Sequence, residues 1–207
     1  MAFTLIDVTA GAVDLYNVDT LGPGPLQGLG GVQPTARGFV NYPGQVMRGY
    51  DPFLGAAEFI FAKASGTISF GTVCQISTAV TAGRTDVTAT AWAGAANTGI
   101  PLGVALQSAT VGQFVWYQVG GLAVTTVQGA PAVGNPAYWQ AAGVVSPTLV
   151  ASKQALNAVF ASAAAAVIGT GTSSTVAYAP GNVTVGTLSA TQALVLLNRP
   201  FAQGQIT

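Results

Sequence analysis

The sequence predicts an all-β protein: a compact β-sandwich or barrel of short antiparallel strands, preceded by an extended Gly/Pro-rich N-terminal arm. Three observations carry this. Apolar runs are short, rich in β-branched and aromatic residues, and closed by Gly or Ser/Thr clusters, which is how strands and turns read. The 27 glycines interrupt the chain too often for helices of ordinary length. Proline and glycine concentrate early, in Leu21-Gly-Pro-Gly-Pro-Leu-Gln-Gly-Leu-Gly-Gly31, Pro34, Tyr42-Pro43-Gly44 and Tyr50-Asp51-Pro52-Phe53, where they block or weaken regular pairing.

The arm is assigned to residues 1–56 and the β domain to residues 57–207. The arm carries Leu21, Leu26, Leu29, Phe39, Tyr42, Tyr50, Phe53 and Leu54, too many large apolar groups for an inert linker. These eight are the contact candidates. Either the arm docks along a neighbouring subunit or partner, or it is an ordered loop folded back on its own domain. Long structureless loops are uncommon within compact domains, which favours the first.

In the β domain, 58–62 and 67–77 read as the first strands, with a break at Gly71. Residues 84–92 alternate polar and small side chains and suit an edge strand. The centre of the domain is 99–124, where runs at 100–106 and 114–119 lead into Gly120-Gly121 and a third run, 122–126. A Gly-Gly pair between strand-like runs predicts a hairpin, because both central positions of a type I′ turn need φ > 0. Residues 129–136 read as a turn, and 137–140 with 144–146 as a second hairpin. The Ala-rich stretch 152–168 lacks the charged face of a surface helix, and a strand is expected over 158–163. A Gly/Ser/Thr loop at 169–174 and short strands at 175–178, 182–188 and 193–198 complete the chain.

Only 6% of residues are charged and the formal net charge is zero, against about 25% charged in an average domain. No long-range field would steer the chain to nucleic acid. All six acids and four of the six bases precede residue 87; beyond it stand only Lys153 and Arg199. A dispersed monomer keeps a charged surface, so this distribution points to an assembly protein covered by neighbouring subunits. The most apolar windows, 156–168 and 193–197, are too short or too Ala/Ser-rich to cross a bilayer as a helix. The N-terminus lacks the basic and long apolar regions of a secretory signal, so neither membrane nor export is expected.

The chemistry available is sparse, and no enzyme activity, cofactor or metal is expected. There is no histidine, which removes the commonest general base and metal ligand. The single cysteine, Cys74, sits in an apolar alternating run and suits a buried position. Asp7, Asp14 and Asp19 lack calcium-loop spacing, and Gly28-Leu-Gly-Gly31 lacks the Lys-Ser/Thr of a phosphate loop. Arg84 and Asp86 form an i,i+2 pair worth little if exposed. Trp92, Trp116, Trp139 and Tyr138 could line a sugar-binding face, but core packing suits Trp116 and Trp139 better, since both lie inside apolar runs.

Four stretches carry a resemblance: Thr72-Val-Cys-Gln-Ile-Ser77, Gly99-Ile-Pro-Leu-Gly-Val-Ala-Leu-Gln-Ser-Ala-Thr-Val-Gly112, Val115-Trp-Tyr-Gln-Val-Gly-Gly-Leu122 and Gly134-Asn-Pro-Ala-Tyr-Trp139. Together they resemble the small β-rich decoration, or head cement, proteins of tailed bacteriophages, over residues 66–146. The resemblance implies a virion protein on the capsid surface, made in the host cytoplasm. It implies self-association, often as trimers, and binding that bridges subunits of the major capsid protein. A head-fibre or tail component is the nearest alternative, and a carbohydrate-binding β-sandwich the next.

Overall fold

The computed structural model describes residues 4–5, 43–51, 53–81, 84–168 and 186–204. Every regular element among them is a strand: β1 (Thr4–Leu5), β2 (Val46–Asp51), β3 (Gly55–Ala64), β4 (Val73–Thr81), β5 (Arg84–Ala91), β6 (Leu102–Ala105), β7 (Phe114–Thr126), β8 (Pro136–Ala141), β9 (Val144–Ser146), β10 (Gln154–Phe160), β11 (Val167–Ile168), β12 (Gly186–Thr187) and β13 (Gln192–Ala202). The all-β expectation holds. Pairing is antiparallel except between β3 and β5, which run parallel through Lys63–Thr88 and Ala64–Ala89. The expected loop at 169–174 and the strand at 175–178 lie outside the described residues.

Two rings share one strand. The first runs β3-β5-β4-β6-β7 and closes because β7 pairs back onto β3, from Glu58–Gly120 to Lys63–Phe114. The second runs β7-β13-β10-β8-β9. A parallel bridge between Val145 of β9 and Val127, just past the end of β7, bends it back on itself. The Gln128 amide donates to the Val145 carbonyl there at 3.0 Å. Strand β7 therefore serves the first ring with its front half and the second, through Thr126–Gln192 to Gly120–Asn198, with its back half.

This replaces the hairpin expected at Gly120-Gly121. The strand runs straight through both glycines. Their lack of side chains is used for close approach instead of for a turn. A Cβ on Gly121, whose φ is +84°, would collide with the Ala56 carbonyl, and one on Gly120 would sit 3.2 Å from the Glu58 Cβ. The register of β3 slips at this point, between Glu58 and Phe59. Buried Gln118 serves the irregularity: its Nε2 donates to the carbonyls of Gly120 at 3.0 Å and Leu122 at 2.8 Å. Strand β5 is likewise not an edge; it lies inside the first ring between β3 and β4.

The interior of the first ring holds Ala62, Ala64, Ile68, Cys74, Ile76, Val87, Ala89, Val115 and Tyr117. Small residues let five strands close tightly, while larger groups pack on the outside. There Phe59, Phe61, Phe114 and Trp116 form a layer with Met47, Leu54, Ile168 and Leu188. The Phe61 ring lies 5.7 Å from that of Phe114 and 5.1 Å from that of Trp116. Each such side chain contributes about 1.5–3 kcal/mol on burial. The second ring encloses Trp92, Leu102, Ala123, Val145, Ala155, Phe160 and Val195.

Residues 46–51, read from sequence as the end of the arm, belong to the sheet. Strand β2 pairs with β3 along its whole length, from Val46–Ile60 to Asp51–Gly55. The sheet thus begins ahead of residue 57, because Tyr50 and Asp51 end one strand that pairs with the next instead of ending a loop.

Candidate functional site

The described residues hold no group of three or more His, Cys, Asp or Glu side chains able to bind a metal ion. The titratable groups inside the first ring are poorly placed for chemistry: burial pushes the Cys74 thiol and the Tyr117 phenol well above their usual ranges. A buried neutral thiol is inert. An apolar void of about 10 Å³ lies between Val73, Leu102, Ala137, Val145 and Leu197, inside the second ring, and is too small for a substrate.

Three of the four aromatic residues weighed for a sugar face, the tryptophans, are used elsewhere. Trp92 and Trp116 are buried in the core. Trp139 is half-buried; its Nε1 donates to the Trp92 carbonyl at 3.0 Å, and the backbone of Gly94 packs on its ring. The Lys153 ammonium sits 4.2 Å from the centre of the same ring.

What the fold does present is the outward face of β2. Burial alternates strictly along this strand, so Val46, Arg48 and Tyr50 point out while Met47, Gly49 and Asp51 point in. The turn into β3 is built by Asp51. Its Oδ1 accepts from the amides of Phe53 at 2.8 Å and Leu54 at 2.9 Å. That fixes the tip so that Leu54, only 5% exposed, enters the core while Phe53 stays 43% exposed. Tyr50 is 49% exposed. The Tyr, Arg and Phe here are residue types enriched at protein interfaces.

A charged cluster borders this face. Arg48 Nε and Nη2 both reach Glu58 Oε1 at 3.0 Å, and Arg199 Nε donates to Glu58 Oε2 at 3.0 Å. The arginine side chains are 71% and 69% exposed, and Glu58 is 21% exposed. Arg199, aided by Arg48, holds the Glu58 carboxyl below its usual range against an opposing push from burial. Arg199 adopts this position with φ +46°, a left-handed backbone that non-glycine residues seldom take.

Of the contact candidates read from sequence, Tyr50 and Phe53 lie together on this exposed hairpin, whereas Leu54 is a core residue. Leu21, Leu26, Leu29, Phe39 and Tyr42 lie outside the described residues. The reading missed Arg48, Glu58 and Arg199. Pairing Arg48 with Glu58 was available once Asp51-Pro52 was taken as a hairpin turn; Arg199 arrives from 141 residues away and left no local signal.

No family model matches the chain. No curated protein matches it either. Among solved structures, it is similar to the N base of the head fibre protein gp8.5 of bacteriophage phi29, with 12% identity and a TM-score of 0.43 over 69% of this chain and 95% of that one. A likeness this weak decides neither fold nor function.

Proposed function

We propose that this chain is a structural virion protein that binds the outer surface of a tailed-phage capsid, bridges subunits of the major capsid protein and has no enzymatic activity. The observation that carries the reading is the exposed Arg48–Tyr50–Phe53 face on a hairpin anchored by buried Met47 and Leu54. The sequence resemblance over residues 66–146 and the scarcity of charge agree with it. A protein that binds only the assembled shell stabilises that shell by its binding free energy. The anchoring hairpin keeps its aromatics ordered before contact, which lowers the entropy cost of docking. Self-association, as a trimer, would multiply the contacts.

The test is pelleting of the purified protein with heads of the cognate phage assembled without it. Saturable co-sedimentation, with heads that withstand heating better once coated, is expected. Loss of about tenfold in affinity for Tyr50→Ala with Phe53→Ala follows from the usual cost of losing interface anchors. No co-sedimentation with any head preparation sinks the reading.

A further inference from the structure

The guanidinium pair beside the aromatic hairpin has a geometry that internal pairing alone does not exhaust. We propose that Arg48 and Arg199, aligned by Glu58, form a recognition point for a carboxylate-bearing protein segment on the docking partner. The inference rests on the docking reading above and names the partner's chemistry at that face.

Each guanidinium carries five N–H donors in a fixed fork. Glu58 takes two donors of Arg48 and one of Arg199. The remaining donors belong to side chains that are 71% and 69% exposed. Two arginines against one glutamate leave one unit of positive charge, held at the junction of the rings. Glu58 orients both forks, so they are already arranged when a carboxylate arrives, and bidentate arginine–carboxylate pairing is geometrically specific.

A protein segment fits better than a nucleic acid. Binding a phosphate backbone takes many cations along a track, and this chain has six in total with zero net charge. The flanking Val46, Tyr50 and Phe53 offer an apolar and aromatic border instead. Charge pairs at such a border act mainly on association rate and salt dependence.

The test uses the full chain, wild type, Arg48→Gln with Arg199→Gln, and Glu58→Gln, binding to phage heads at 50 and 300 mM NaCl (about a 2.5-fold change in screening length). The expected result is wild-type binding that weakens with salt, a double arginine variant at least tenfold weaker at low salt with a flat salt response, and a Glu58→Gln form that loses clearly less than the double variant and keeps its salt response, because its arginines keep their charge and lose only their alignment. If Glu58→Gln loses as much affinity as the arginine variant, the cluster is only an internal staple and the proposal is overturned. Equal binding by all three also overturns it and leaves the docking function standing. Should heads bind no form of the protein, the function reading fails, and a second measurement decides the cluster. In that measurement the Nε–H NMR signals of Arg48 and Arg199 are followed during titration with a hexaglutamate peptide, a hexaglutamine control and a thymidine oligonucleotide. Shifts with hexaglutamate alone support the proposal. No shift, or a stronger response to the oligonucleotide, overturns it.

Discussion

Single residues show how this chain spends its few special positions. Gly121 permits β7 to pass against the backbone of β3, with Ala57 Cα 3.0 Å from where a Cβ would stand. Gly121→Ala adds left-handed strain of about 1–2 kcal/mol and overpacking of about 1–3 kcal/mol. Denaturant unfolding of that variant is expected to show a loss of about 2–5 kcal/mol, summing those two costs. Glu58 makes a pH-dependent contribution. Its folded-state carboxyl titrates below the usual 4.5, chiefly through its hydrogen bond from Arg199. Between the two values the unfolded chain binds more protons, so stability rises with pH there. The contribution is complete above about pH 4.5, the unfolded value, and is lost as pH falls through the lowered folded value. The gap in melting temperature between wild type and Glu58→Gln is therefore expected to be small at neutral pH, since the arginines are solvent-screened, and to vanish in strong acid.

At the scale of elements, the β2–β3 hairpin separates anchoring from display. Leu54→Ala removes a buried group and is expected to cost about 2–4 kcal/mol in unfolding free energy. Tyr50→Ala and Phe53→Ala, half in solvent, are expected to stay within about 1 kcal/mol of wild type while binding to heads falls. A structural role for all three would make the stability losses alike. This hairpin also shows what could be read from sequence. Strands with clear β-branched or aromatic runs, such as the front half of β7 and the β8–β9 pair, were legible because their signal is local. Strand β2 was not, because Gly49 and Pro52 suggest a loop and only its pairing with β3 makes it a strand. Gly120-Gly121 was misread for a related reason: the same two residues suit a tight turn or a close crossing, and the choice is made by β3, some 60 residues upstream. The charged cluster was illegible in part because Arg199 meets Glu58 across 141 residues of sequence.

For the whole molecule, the position of β2 separates two truncations. Removal of residues 1–42 takes away, among the described residues, the two-residue pairing of β1 on β2 at Thr4–Tyr50 and Leu5–Gly49, and is expected to lower the melting temperature less than the longer cut does. Removal of residues 1–56 deletes Met47 and Leu54 from the outer layer and uncovers the edge of β3, and is expected to lower stability by several kcal/mol, the sum of two buried apolar groups at about 1.5–3 kcal/mol each. Circular dichroism melts of the two forms check this. Calorimetry should show one transition for the intact chain, with calorimetric and van't Hoff enthalpies equal, since neither ring retains a closed wall when β7 leaves.

Strand β7 has a mechanical consequence as well. A tug applied at the Tyr50–Phe53 hairpin passes through β3 into the front half of β7 and reaches β13 along covalent backbone. Among the described residues, the two halves are joined through the backbone of β7 itself. If the proposed docking to a shell holds, a load on that contact is expected to part the contact before it parts the protein at β7.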